Sequence, residues 1–144
     1  MKNQARVWMA LMTGLLSLAA CGGSETNLYA QLSDAEDDAV AVLCECFAAT
    51  GANSEQECVS NFGGDTTPTE EACAASVYET FRAEALENTR CRVRVYDEAI
   101  DCLNDVAACD QPAVEACFDA AGAGIEACPS LPDTIEQAYD ACFD

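Results

Sequence analysis

The sequence contains no histidine, and its single lysine, Lys2, lies at the extreme N-terminus. General acid–base and nucleophilic catalysis often depend on one of these two side chains, because their protonation can be tuned to neutral pH. The Gly-x-Ser-x-Gly turn, the phosphate-binding glycine loop and the His-Glu-x-x-His helix are absent as well. These absences remove most enzymatic mechanisms and favour a non-catalytic role.

Positive charge is also scarce. The chain has six basic and 26 acidic residues. All the acidic residues follow Cys21, whereas Lys2 and Arg6 precede it, so the part from Cys21 onward has four arginines and a formal net charge of −22. Such a surface repels phosphate backbones and anionic headgroups, which argues against nucleic acid as a partner. Cationic partners or divalent ions are compatible with it, although the charge could also serve only to keep the domain soluble.

Long apolar runs are scarce too, and the one at the N-terminus is too short to span a membrane. Val7–Ala20 comprises 14 residues, whereas a spanning helix needs about 20 apolar residues. This run follows the basic stretch Met1–Arg6 and ends in small residues, which is the order of a secretory signal peptide. Residues 1–20 are therefore predicted to direct export and to be cleaved.

The end of this segment resembles the lipobox of bacterial lipoproteins, in which an aliphatic residue and two small residues precede a cysteine. The four residues here are Leu18, Ala19, Ala20 and Cys21. The resemblance implies that Cys21 receives a diacylglycerol, that a peptidase cuts just before it, and that its new amine is acylated. Two or three acyl chains hold a protein on a membrane almost permanently. The alternative is an ordinary signal peptide with a coincidental cysteine.

The same resemblance predicts the location of the mature protein. Gly22 stands where an aspartate would be associated with retention at the inner membrane. The implied destination is the cell membrane or, in a Gram-negative cell, the outer membrane, with the domain periplasmic or surface-exposed. Residues 21–32 are predicted to form a lipidated tether and residues 33–144 a cysteine-rich helical domain. The membrane, reached through the lipid on Cys21, is the first predicted partner.

Cysteine is abundant. Without Cys21, the 11 cysteines become ten, and an even number in an exported chain predicts five disulfides. Each bridge would stabilise a small domain by roughly 2–4 kcal/mol. No metal or cofactor is predicted, because zinc sites use histidines or paired Cys-x-x-Cys clusters that this chain lacks. The ten cysteines are Cys44, Cys46, Cys58, Cys73, Cys91, Cys102, Cys109, Cys117, Cys128 and Cys142.

Three capping boxes of the Ser/Thr-x-x-Glu type indicate helix starts at Ser33, Ser54 and Thr67. Gly51 and the pair Gly63-Gly64 are suitable stops for the first two helices. The predicted helices span about 34–50 and 55–62. No strand pattern is present, so the predicted fold is all-α, a small disulfide-stapled antiparallel helical bundle.

From Pro68 to Cys109 there is no further glycine or proline, and the apolar residues keep one helical phase. This segment is either one long helix or two collinear helices with a break near Asn88-Thr89, and the constant phase favours one helix, with its four cysteines on one face. Two further helices are expected, one to about Cys128 and a short one over 133–143.

The cysteine spacing predicts two bridges across a helical hairpin. In two antiparallel helices, residues face each other across the pair when their two numbers add up to one constant sum. Cys91 with Cys128 and Cys102 with Cys117 have the same sum, so these two bridges are predicted. The layout is similar to that of the coiled-coil-helix-coiled-coil-helix proteins. The same reasoning across the turn at Gly51 pairs Cys46 with Cys58. Pairings are left open for Cys44, Cys73, Cys109 and Cys142.

Two smaller patterns bear on surfaces. The heptapeptide 113–119 recurs in weakly similar form at 138–144, either by duplication or because alanine-rich cysteine helices resemble one another by chance. Each copy is predicted to present a cysteine and a phenylalanine to the core, Cys117-Phe118 and Cys142-Phe143. Arg90, Arg92 and Arg94 form either local ion pairs with glutamates one turn away or a patch that recognises an acidic partner or a lipid headgroup.

Two classes of function follow. The first is a lipid-anchored cell-envelope protein with a structural or protein-binding role and an unknown protein partner. The second is a secreted thiol-disulfide oxidoreductase, suggested by Cys44-Glu45-Cys46, or another small envelope enzyme. The lack of a neighbouring lysine or histidine to lower a thiol pKa favours the first class and a non-enzymatic protein.

Overall fold

The computed structural model describes residues 27–63 and 66–143, and every regular element in these ranges is helical. The predicted all-α, disulfide-stapled bundle is confirmed. The predicted signal peptide and Cys21 lie outside the described residues. In the described part, 3-10 turns occupy Phe47–Thr50 and Ala107–Cys109, and the α-helices are α1 (Leu28–Glu45), α2 (Glu55–Phe62), α3 (Pro68–Thr80), α4 (Arg82–Asn104), α5 (Gln111–Glu126) and α6 (Asp133–Asp140).

Two of the three predicted helix starts are present. Thr67 forms a complete capping box with Glu70, with Pro68 in the first turn of α3. The hydrogen bonds from Thr67 lower the pKa of the Glu70 carboxyl. At α2 the Ser54 hydroxyl accepts a hydrogen bond from the Glu57 amide at 3.1 Å. The Glu57 side chain accepts instead from Asn53, so only half of that box forms.

The first helix starts earlier than predicted. Ser33 lies inside α1, whose N-cap is Asn27, and the Leu28 amide donates to Glu79 Oε1 at 3.0 Å. Leu28 and Leu32 are buried in the core, and burying them extends the helix upstream of Ser33. A tether reaching to residue 32 is therefore too long, and the folded part begins at Leu28. The helix also ends at Glu45, before the 3-10 turn that leads to Gly51 in the left-handed conformation (φ 81°).

The predicted continuous helix over 68–109 is wrong, because the chain bends at Phe81. Phe81 has non-helical backbone angles, φ −111° and ψ 32°, and is both the last cap of α3 and the first cap of α4. Its amide still donates a hydrogen bond to the Val77 carbonyl at 3.0 Å. Asn88 and Thr89, the predicted break, lie buried within α4. A bend that keeps most of the hydrogen bonds needs no glycine or proline, so nothing in the sequence marks it. Cys73 consequently does not share a face with the cysteines of α4.

The central helix is α4, which packs against both α1 and α5. It runs antiparallel to α5, as their two bridges require. Helix α4 runs in the same direction as α1. At one end, Leu28 at the start of α1 bonds to Glu79, which lies just before α4; at the other, Cys46 at the end of α1 bonds to Cys109, which lies just after α4. The main buried cluster, between α1 and the bend, contains Leu28, Leu32, Tyr78 and Ala85.

Five disulfides staple the described chain, and every α-helix contains or closely adjoins at least one of their cysteines. Both predicted hairpin bridges are present, Cys91–Cys128 and Cys102–Cys117. The predicted Cys46–Cys58 pair is wrong. Cys58 bonds instead to Cys44, which lies on the buried face of α1, whereas Cys46 is the C-cap residue beyond that face. The complete set is Cys44–Cys58, Cys46–Cys109, Cys73–Cys142, Cys91–Cys128 and Cys102–Cys117.

Two glycines of α5 give a matched test of the α4–α5 contact. A Cβ on Gly124 would lie 2.9 Å from Cγ1 of Val95, a stiff and buried side chain, whereas a Cβ on Gly122 meets nothing within 4 Å. Gly124→Ala should therefore lower the free energy of unfolding by about 1–3 kcal/mol. Gly122→Ala should raise it by up to about 1 kcal/mol, since alanine is the better helix former. Denaturant unfolding of both variants measures this, and equal effects would contradict the close helix contact.

Candidate functional site

An exposed aromatic pair marks one face of the domain. Phe118 on α5 is 52 % exposed and Phe62 at the end of α2 is 37 % exposed. Their rings meet edge to face with centroids 5.8 Å apart. Val59, one turn before Phe62, is also exposed. Large apolar side chains exposed together are typical of interaction sites, whereas scattered ones are ordinary.

Two small cavities flank this pair, and together they form what we call the Phe62–Phe118 groove. The first, about 180 Å³, lies between α1, α4 and α5 and is lined mainly by apolar residues, including Ala39, Ala99 and Ala121. The second, about 230 Å³, lies towards the start of α5, and the two share Phe62, Phe118 and Leu43. The small alanines leave room beside the rings, so the groove can take apolar side chains from another molecule.

Disulfides hold the walls of the groove in place. Cys44–Cys58 joins α2, which carries Phe62, to α1. Cys102–Cys117 joins α5 to α4 at the residue next to Phe118. A binding surface fixed in this way loses little conformational entropy when a partner binds, which favours affinity.

The groove is acidic at both ends. Glu36 lines the first cavity, and Glu115 and Asp119 line the second. No arginine lines either cavity. Burial raises the pKa of Tyr96 in the first cavity, and the negative charge of Glu36 raises it further, so this phenol stays neutral at physiological pH. The groove therefore combines an apolar floor with negative ends.

The prediction that Phe118 and Phe143 point into the core is wrong. Both are exposed, Phe143 by 40 %. Adjacent residues of a helix point about 100° apart, so Cys117, which turns inward to reach Cys102, places Phe118 at the rim. This offset is the one sequence signal that could have indicated the exposed ring.

The arginines do not form one patch. Arg94 pairs with Glu98 at 3.8 Å, as predicted for an exposed pair. Arg90 has no carboxylate at ion-pair distance among the described residues. Arg92 turns inward and is half-buried. Residues two positions apart on a helix point in different directions, which separates Arg92 from the other two.

The predicted redox pair is also separated, because Cys44 and Cys46 bond to different partners. In residues 27–63 and 66–143, no three cysteine, aspartate or glutamate side chains are grouped as a metal site would need. Within the same ranges, no helix has both the length and the apolarity required to cross a bilayer.

Comparison with known proteins finds no matching family model, no matching curated protein and no matching solved structure.

Proposed function

We propose that the protein is a lipid-anchored component of the cell envelope whose helical domain binds a protein partner in the Phe62–Phe118 groove. The observation that carries the proposal is the exposed, edge-to-face aromatic pair between two small apolar cavities. Phenylalanine rings at the centre of such a surface are suited to act as anchors for a partner. The anchor on Cys21 rests on the lipobox resemblance alone.

The chemistry of the partner follows from charge complementarity. The described residues carry four arginines and 23 acidic side chains, and the groove ends in carboxylates. An apolar segment flanked by lysine or arginine would place its apolar residues beside the two rings and its cations near Glu36, Glu115 and Asp119. Such charges steer encounter and select against acidic partners.

A synthetic peptide provides a direct test. The probe is a short amphipathic peptide with leucines on one face and lysines at both ends, and the control peptide has glutamates in place of the lysines. The lysine peptide should bind at least about tenfold more tightly, and Phe118→Ala should weaken it at least about tenfold, the size expected for a central aromatic anchor. Phe143→Ala is the matched control, because this ring is also exposed but does not line the groove. Fluorescence anisotropy measures each affinity.

Equal binding of the two peptides, or equal loss in Phe118→Ala and Phe143→Ala, would contradict the proposal. In cells, a photo-crosslinking amino acid at position 118 should join the protein to a peptide that contains lysine or arginine beside apolar residues. The same amino acid at position 143 should not produce this adduct. An adduct at position 118 through an acidic segment would also count against the proposal.

A further inference from the structure

A second site lies around Arg92, one turn before Tyr96 on α4 and nearer the start of that helix than the groove. This arginine is half-buried, and its Nη2 donates to the Tyr96 hydroxyl at 3.4 Å. Among the described residues, no carboxylate lies within ion-pair distance of it. Burial acts to lower the pKa of the guanidinium, but the hydrogen bond to Tyr96 and the electrostatic effects of Tyr96, Tyr78 and Glu36 more than offset this. Its pKa is therefore raised, and it remains a cation.

All four tyrosines of the chain lie around this arginine. Tyr29, Tyr78 and Tyr139 form a ring cluster with centroid distances of 5.8, 5.9 and 6.4 Å, and Tyr96 supplies the acceptor. Burial, reinforced by Tyr29 and Tyr78, raises the pKa of Tyr139 to about 12. Burial also raises the pKa of Tyr78, so both phenols stay neutral. A neutral phenol can donate its hydroxyl proton to an anion, and its ring face can attract a cation.

Arg92, Tyr78 and Tyr139 line a cavity of about 510 Å³ between α4 and α6. The opposite wall is acidic, since Glu136 and Asp140, one turn apart on α6, also line it. Neither carboxylate reaches Arg92 at ion-pair distance. Arg92 and the two carboxylates of α6 therefore line the same cavity without forming an ion pair with each other.

The cavity walls are fixed by covalent and polar contacts. Cys142, just after α6, bonds to Cys73 on α3. The Asn88 amide donates to the Pro129 carbonyl at 2.7 Å, which holds the α5–α6 connection against α4. Asn88 Oδ1 and Arg92 Nε are buried without a partner among the described residues. Buried polar atoms without a partner destabilise the fold, so this part of α4 is more polar than its packing requires.

We propose that this cavity binds a small zwitterion, with the carboxylate of the ligand on Arg92 and its cationic nitrogen against Glu136, Asp140 and the tyrosine rings. A simple anion would meet the acidic wall, and a simple cation would meet the guanidinium. Only a ligand with both charges satisfies both walls. A free amino acid, a short peptide or a betaine has this chemistry and is of suitable size for the cavity.

The test uses isothermal titration calorimetry on the folded, disulfide-bonded protein. The probes are glycylglycine and glycine betaine, and acetate and tetramethylammonium serve as ligands with a single charge. At least one zwitterion should bind saturably, at least about tenfold more tightly than either single-charge ligand. Arg92→Gln and Glu136→Gln should each weaken that binding at least about tenfold. Arg90→Gln is the matched control, since it removes the same charge from the exposed side of α4 and should leave binding unchanged.

Circular dichroism of each variant establishes that it is folded. Because Glu136 is exposed, Glu136→Gln keeps the test decisive even if Arg92→Gln does not fold. The proposal is overturned if neither zwitterion binds, if acetate or tetramethylammonium binds as tightly as the zwitterions, or if a folded Glu136→Gln variant binds like the unchanged protein.

Discussion

Replacing both Cys46 and Cys109 by serine should lower the free energy of unfolding by about 4 kcal/mol. The bridge closes a loop with a sequence separation of 63 and joins the end of α1 to the segment after α4. A cross-link of this length restricts the unfolded chain by about that amount. Cys109 is exposed and Cys46 is partly exposed, so the serines create little cavity and the loss of the cross-link dominates.

The matched control is the double replacement of Cys102 and Cys117 by serine, which opens a loop with a sequence separation of only 15. The same reasoning predicts a loss of about 3 kcal/mol. Denaturant unfolding of both variants under non-oxidising, non-reducing conditions gives the two values. Because Cys117 is buried, its serine adds a penalty in the core to the short-loop value. The decisive value is therefore that of the long loop, and a loss there well below about 4 kcal/mol would contradict this explanation of how the bridge stabilises the bundle.

Replacing Cys21 by serine should release the protein from the membrane. The proposed lipid on Cys21 would hold the chain on the bilayer, and a serine cannot form the thioether that carries the diacylglycerol. Each acyl chain contributes about 0.8 kcal/mol per buried methylene, so losing the lipid removes nearly all of the membrane affinity. Fractionation of cells after a high-salt wash, together with incorporation of labelled palmitate, measures this.

Ser24→Ala is the control for this replacement, since it changes the same predicted tether without touching the thiol. The control should stay in the membrane fraction and keep its label. If the Cys21→Ser variant remained in the membrane fraction, or if the unchanged protein took up no label, the lipid anchor would have to be abandoned.

Much of the fold could be predicted because its signals are local. The capping box of Thr67 and Glu70 lies within one turn, with Pro68 at the first helical position. The Ser54 side chain likewise caps α2 by accepting from the Glu57 amide, three residues later. The Cys91–Cys128 and Cys102–Cys117 bridges follow from one antiparallel hairpin whose two helices are neighbours in the sequence. In each case the interacting residues are close enough for spacing alone to bring them together.

The other bridges depend on contacts between distant segments. Cys46 meets Cys109 because α1 runs in the same direction as α4, an arrangement that a rule for hairpins cannot represent. Cys73 meets Cys142 only because the bend at Phe81 turns α3 towards α6. The start of α1 likewise depends on where Leu28 finds its partners in the core and not on a capping pattern.

The candidate sites were even less visible in the sequence. The Phe62–Phe118 groove is assembled from α1, α2, α4 and α5, and alanines at its floor have no distinctive spacing. Arg92 differs from Arg90 and Arg94 only in the side of α4 on which it lies, which leaves it half-buried and the other two exposed. Charge and composition predicted an acidic surface compatible with cationic partners, but the positions of the two cavities required the packed structure.

We propose that the chain is exported and acylated on Cys21, and the mature domain is closed by five disulfides. Intact mass spectrometry of the protein purified from membranes, after alkylation of free thiols without reduction, tests all three parts together. The account predicts a chain that begins at Cys21, carries fatty acyl groups and contains no alkylated cysteine. A product that begins at Met1, a mature chain without lipid, or alkylation of any of the ten remaining cysteines would contradict it.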